Sequence, residues 1–204
     1  MNNIKKIDYT FIKSNNSNKA IVAFHGWQGN KDSFLPLVKY ELFNNYNWYL
    51  VQGPYLVDND ATRRTWSYEV KPGEWAFDEP KKLISDLFYN EIFKKFDSKN
   101  VYVIGFSLGA LVCYEIICSL NQPLGAIFPI SGFISNEIVI DDAQKETPII
   151  IGHGTNDQIV PFERSIESYD ILKEQNANVK LMKYDSRHNI PIKMLTKISQ
   201  IIKK

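Results

Sequence analysis

The sequence predicts an α/β fold: a doubly wound, mostly parallel central sheet flanked by helices. Three observations predict it. Short apolar segments recur along the chain with helical patterns between them. These segments are apolar throughout rather than at alternate positions, as in strands covered on both faces. Each of the three histidines, His25, His153 and His188, falls just past such a segment, and in open α/β sheets chemistry collects beyond the carboxyl ends of the strands.

The strand segments are "AIVAF" (20–24), "WYLVQ" (48–52), "VYVIGF" (101–106), "GAIFPI" (125–130), "PIIIG" (148–152) and "VKLMKY" (179–184). An N-terminal strand precedes them, followed by the turn-forming cluster "KSNNSNK". Helical patterns cover roughly 32–45, 79–97, 108–120, 163–175 and 190–203. The second is the cleanest, with Leu83, Leu87, Phe88, Ile92 and Phe96 at three- to five-residue steps. The longest irregular stretch runs from Gly53 to Asp78. No internal repeat, low-complexity tract or Pro/Gly linker interrupts the pattern.

With 204 residues, 44% of them hydrophobic, the chain can bury a sizeable core yet is too short for two ordinary domains, so 1–204 is expected to be one domain. Lys plus Arg (24) nearly cancel Asp plus Glu (23), which leaves no basic field for nucleic acid or anionic membrane. The first residues lack the apolar core of a signal peptide, and no run approaches the ~20 apolar residues of a membrane span. A cytoplasmic protein without stable membrane insertion is expected; nothing in the sequence bears on its oligomeric state. Cys113 and Cys118 lie five apart on one helical segment. That spacing points them to different faces, wrong for a metal pair, and suits buried small hydrophobes. Neither metal nor cofactor is expected.

"VYVIGFSLGALVCYE" sets Ser107 between Gly105 and Gly109 where a strand becomes a helix. A tight connection with a capping serine accounts for that pattern, and so does a nucleophile elbow, G-x-S-x-G, which exposes the hydroxyl above the sheet. An elbow requires a base, an acid and an oxyanion site elsewhere. His25 and His153 each stand in a His-Gly pair at a strand end and read as imidazoles packing a tight turn. His188, in the loop before the last helix, is free to swing over the sheet edge toward the serine, and is the expected base. Asp157, in "HGTNDQIVP", follows the preceding strand and reaches the imidazole from behind. Asp185 competes, but only three residues from His188 it is poorly placed to face the ring nitrogen turned away from the serine. The amide of Leu108, at a helix N-terminus, is one expected oxyanion donor, and that of Trp27, in "HGWQGN", the other.

On "FHG", "GFSLGA", "PISGF", "HGTNDQIVP" and "YDSRHNI" the chain resembles the α/β-hydrolase superfamily, most closely the phospholipase/carboxylesterase group that includes acyl-protein thioesterases. The resemblance covers nearly the whole chain. It implies Ser107 as nucleophile, Asp157 as acid, His188 as base and the Trp27 and Leu108 amides as the oxyanion hole. It further implies a metal-free serine hydrolase acting on small-molecule carboxylic esters or thioesters. Two departures bear on substrate class: Leu108 stands where thioesterase-like members usually have glutamine, and "HGWQGN" replaces His-Gly-x-Gly-Asp. Residues 131–147 leave no room for a large cap domain, which suits exposed or small esters better than deeply buried lipid chains.

The aromatics of Gly53 to Asp78 form either a satellite core or a pocket wall, with Trp66 the first pocket candidate. Phe133 and Ile159, both just past strands, are further substrate-binding candidates. Arg63 and Arg64 offer an anion site but read more simply as solvated charges. The alternatives are an amidase or peptidase of the same fold, and an inactive hydrolase-fold binding protein, a class whose members usually lose a triad residue.

Overall fold

The computed structural model describes residues 6–72 and 74–203. Residues 1–5, part of the N-terminal segment that lacks the apolar core of a signal peptide, and Gly73 of the Gly53–Asp78 stretch lie outside them.

Seven strands form the central sheet: β1 (Tyr9–Ile12), β2 (Ala20–Phe24), β3 (Asn47–Val51), β4 (Val101–Phe106), β5 (Ala126–Ile130), β6 (Ile149–Gly154) and β7 (Val179–Tyr184). Their spatial order is β1-β3-β2-β4-β5-β6-β7, with only β1 antiparallel to its neighbour. The unbroken apolar runs have the expected cause, because successive residues serve two different cores. Val22, Phe24, Val103, Ile127 and Ile151 face one side. There they meet α2 (Asp78–Leu87), α3 (Leu108–Glu115) and α4 (Glu163–Glu174). Ile21, Ala23, Ile104, Phe128 and Ile150 face the other, against α1 (Leu35–Lys39) and α5 (Ile192–Ile202). Pairing of Phe24 with Gly105, Phe106 with Ile130 and Gly154 with Tyr184 aligns the carboxyl ends of β2, β4, β5, β6 and β7 along one edge.

Two helices are shorter than the sequence predicts, and a third changes pitch along its length. Over 32–45 a 3₁₀ turn (Lys31–Phe34) leads into α1, which stops at Tyr40, whose backbone is extended at φ −72° and ψ 135°. Asn-rich "LFNNYN" favours turns over helix, and Tyr40 carbonyl accepts from both Phe43 and Asn44. Over 79–97, α2 gives way to a π turn at Phe88–Ile92. That extra residue per turn keeps Phe88 and Ile92 inward behind Leu83 and Leu87. Over 108–120, α3 ends at Glu115 and a 3₁₀ turn covers Ile117–Ser119.

Gly53 to Asp78 is not irregular. Tyr55–Val57 pairs with Asp60–Thr65, and Glu69–Lys71 with Glu74–Trp75. Asp58 (φ 51°) and Asn59 (φ 56°) both adopt the left-handed region between the first pair of strands. Two such residues match the twist of a tight hairpin, and Asp and Asn tolerate them. Between β5 and β6 the chain forms only a 3₁₀ turn at Asp142–Gln144, so no large cap covers the edge. Among the described residues no helix is long and apolar enough to cross a membrane.

Candidate active site

Ser107 joins β4 to α3 with φ 54° and ψ −118°, a left-handed conformation that L-residues rarely adopt. Such strain is of order 1–3 kcal/mol and persists only where the surroundings enforce it. Here its two glycines enforce it. A Cβ on Gly105 would lie 2.1 Å from the Gly109 carbonyl oxygen, and one on Gly109 would lie 2.0 Å from that of Phe24. Strand, turn and helix therefore close more tightly than any side chain permits. The Ser107 amide donates to Ile130 carbonyl at 2.8 Å, tying the turn to β5.

The loop after β2 lies against this elbow. A Cβ on Gly26 would come within 3.3 Å of Ser107 Cβ. The turn closes by a Gly29 N–H to Gly26 carbonyl bond of 3.0 Å, with Gln28 left-handed at φ 63°. The hairpin clamps it in turn, since the Arg64 amide donates to Gly29 carbonyl at 2.9 Å and Asn30 Nδ2 to Thr62 carbonyl at 2.8 Å. Trp27 points its indole to solvent, 61% exposed, whereas the Leu108 side chain is buried. Neither the Trp27 nor the Leu108 amide donates to another group among the described residues.

His188, in the loop between β7 and α5, brings its ring to 5.0 Å from that of Phe106, the residue before Ser107. Its Nδ1 lies 2.7 Å from Asp157 Oδ2. The other Asp157 oxygen accepts the amides of Ile159 (2.9 Å) and Val160 (3.0 Å), so the carboxylate is oriented on both sides. Burial alone would raise the Asp157 pKa. The Val160 amide, His188 and the Ile159 amide outweigh it and hold the carboxyl below its ordinary range. An ionised carboxylate only accepts, so His188 Nδ1 carries the hydrogen, and in the neutral ring Nε2 is the nitrogen with the lone pair. Asp185 is exposed and accepts from Asn156 Nδ2 at 2.6 Å, turned away from the imidazole.

The other two histidines are structural, as their His-Gly settings predict. His25 Nδ1 donates to Gly26 carbonyl (2.7 Å) and its Nε2 accepts the Gly53 amide (3.0 Å), which fixes a neutral ring. Burial first, then the nearby Arg64 charge, lower its pKa to about 4 against the Gly26 bond. His153 is buried, donates from Nε2 to Val160 carbonyl at 2.9 Å and lies 3.4 Å from Asp157 Oδ2. It thus packs behind the loop that carries Asp157. Cys113 and Cys118 are free and buried, and burial pushes both thiols up. Among the described residues no group of three or more His, Cys, Asp or Glu side chains is arranged to hold a metal ion.

The pocket candidates fare differently. Trp66 is wholly buried, donates its indole N–H to His25 carbonyl at 2.7 Å and packs on the rings of Phe24 and His25. It braces the loop from behind, because the hairpin folds it inward, and it is not a pocket wall. Phe133 is half-buried beneath Arg164, whose guanidinium carbon stands 4.3 Å from the ring centre. Ile159, two residues after Asp157, is 71% exposed. Arg63 pairs with Asp58 at 3.0 Å and Arg64 Nε donates to Ala61 carbonyl, so both are engaged within the hairpin. The cavity that His188 adjoins, about 320 Å³, is walled instead by Phe34, Leu37, Phe106, Ile190 and Leu195. These apolar residues sit beside the loop after β2, before Ser107 and after His188. Their proximity to those three landmarks was the available sequence signal.

A mostly parallel sheet with a strained Ser elbow at its centre and a His–Asp pair beyond later strands defines an α/β-hydrolase fold. Within that class, the chain belongs to the phospholipase/carboxylesterase family, whose model matches residues 9–204. It is 30% identical over 105 residues to acyl-protein thioesterase 1 homolog 1 of Dictyostelium discoideum, a match covering 50% of this chain and 46% of that one. It is 26% identical over 177 residues to carboxylesterase SOBER1 of Arabidopsis thaliana, covering 79% of this chain and 78% of that one. The SOBER1 crystal structure superposes with a TM-score of 0.78 at 24% identity, over 91% of this chain and 97% of that one.

Proposed function

We propose that the protein is a serine hydrolase that cleaves carboxylic esters or thioesters through an acyl-enzyme on Ser107. The observation that carries this reading is the 2.7 Å bond from His188 Nδ1 to a buried, amide-anchored Asp157, which leaves Nε2 for the serine on a ring packed 5.0 Å from that of Phe106, the residue before Ser107. His188 Nε2 takes the Ser107 Oγ proton as the oxygen attacks the acyl carbon. The oxyanion accepts from the Trp27 and Leu108 amides, two donors with no other partner among the described residues. Collapse breaks the C–O or C–S bond, and His188 returns the proton to the leaving atom. Water then attacks the acyl-enzyme, passes a proton through His188 to Ser107 Oγ and releases the carboxylic acid. Asp157 holds the imidazole in the required tautomer and stabilises its positive charge.

Membership of a family that includes carboxylesterases supports ester chemistry, and similarity to an acyl-protein thioesterase homologue extends the substrate class to thioesters. Hydrolysis of a panel of alkyl esters and acyl thioesters by the wild-type protein, compared with Ser107→Ala, tests the proposal. Turnover is expected for wild type, with a loss on the order of 10⁶ in the variant; anilide cleavage without ester cleavage would favour an amidase.

A further inference from the structure

We propose that the cavity beside His188 receives the leaving group of the substrate, and that it selects neutral, apolar alcohols or thiols. This assignment rests on the serine hydrolase reading above. The cavity lies between α1 with the turn before it and the start of α5, on the face opposite α3. Phe106, Ile190 and the His188 ring itself wall it, together with Gly26, which approaches the Ser107 elbow.

Two substituents of the tetrahedral carbon compete for this space, the acyl chain and the leaving group. His188 must deliver its proton to the leaving atom, which therefore stands within hydrogen-bond reach of Nε2. A cavity walled by that same ring is the nearest continuation for whatever the leaving atom carries. The acyl chain is left the opposite side of the elbow, where Phe133 and Ile159 follow β5 and β6.

The lining dictates the chemistry. Among the described residues no Asp, Glu, Lys or Arg borders the cavity, and its second histidine, His25, is held neutral by two ring hydrogen bonds. The Ser33 hydroxyl on its rim already accepts the Asn30 amide at 3.0 Å. The exposed Asn189 is the remaining polar lining residue, and Phe34, Leu37 and Leu195 offer only hydrocarbon, so a charged leaving group would lose hydration without gaining an opposite charge. About 320 Å³ lies at the low end of small-ligand sites and fits a short alkyl chain or one ring.

Two measurements test the assignment on the intact chain. The first is kcat/KM for ethyl, butyl and hexyl acetate, set against ethyl acetate, butyrate and hexanoate. Alkyl alcohols share their leaving-group chemistry, so a rise along the first series reports burial, up to about fourfold per methylene. Leu37→Trp, which fills the cavity, is expected to lower the hexyl-to-ethyl ratio at least tenfold and leave the hexanoate-to-acetate ratio unchanged. Leu37→Ala is expected to keep or raise the hexyl preference. A Leu37→Trp effect confined to the acyl series would overturn the assignment, and so would two unchanged ratios.

The second measurement needs no turnover. Titration with hexan-1-ol should shift the methyl resonances of Ile190 and Leu195 in wild type but not in Leu37→Trp, whereas choline should shift neither. Hexan-1-ol leaving these methyls unmoved in wild type removes the cavity from the site. Methyl shifts in a protein that hydrolyses no ester would instead count against the serine hydrolase reading and leave the apolar binding site standing.

Discussion

Asp157 and Asp185 are both carboxylates near His188, and they differ in what their oxygens already hold. Asp157 is buried and fixed by two amides, while Asp185 is exposed and bound to Asn156. Asp157→Asn should therefore keep the fold and lower ester turnover by about 10⁴, the scale on which a wrong imidazole tautomer acts. Asp185→Asn should change it little, and steady-state kinetics with circular dichroism on both variants check the contrast. His25 gives a second prediction, for stability. Its folded pKa of about 4 lies below the ordinary 6.5, so between these values the unfolded chain binds the proton and the folded one does not. Stability should fall as pH drops through 6.5 and stop falling from this cause below about 4, by up to ~3 kcal/mol in total. Urea titrations of wild type and His25→Gln across pH 4–7 should differ in slope in that window. Trp66 belongs to the same packed group, so Trp66→Ala should lower Tm strongly, consistent with the ~3–5 kcal/mol of a buried Trp truncation, and leave the acyl-length profile parallel to wild type. The pairing of Asp157 with His188 was legible in the sequence because chain order and loop reach are local facts. Trp66 was not, because its burial depends on a hairpin docking Arg64 on Gly29, thirty-odd residues away in the chain.

At the scale of elements, the elbow is where sequence pattern and backbone geometry agree most closely. Gly105 and Gly109 are required by approaches of 2.1 and 2.0 Å to carbonyl oxygens that cannot retreat without moving β2 or α3. Gly152 on β6 is a useful contrast, since its Cβ would meet the flexible side chain of Met194 at 2.9 Å. Gly109→Ala should lower Tm far more than Gly152→Ala, and thermal unfolding of the pair measures the difference. The strand segments were legible because burial on both faces leaves an unbroken apolar run. Helix ends were less so: α1 stops where turn-forming asparagines begin, and α2 changes pitch to keep Phe88 and Ile92 inward, both decided by packing on the finished sheet. The hairpin within Gly53 to Asp78 did carry a signal in Asp58-Asn59, two residue types that tolerate the left-handed region a tight hairpin needs.

For the whole molecule, the sheet order brings the loops after β2, β4, β6 and β7 to one edge, so residues separated by more than 160 positions, from His25 to His188, meet at one site. No cap rises between β5 and β6 to enclose a long chain. Short acyl esters should accordingly be turned over at least as efficiently, in kcat/KM, as hexadecanoyl esters of the same alcohol, a comparison that a chain-length series in detergent-free buffer provides. The order Ser, Asp, His made the candidate site legible before any coordinates, whereas the cavity beside it is assembled from α1, β4 and the start of α5 and has no local signature. The central claim is that Ser107 is the activated nucleophile of this assembly. Intact-mass and peptide analysis after treatment with a fluorophosphonate tests it most directly: the account predicts one adduct per chain, on Ser107, and none on Ser107→Ala, while an adduct that persists in that variant, or that maps to another residue in wild type, would contradict it.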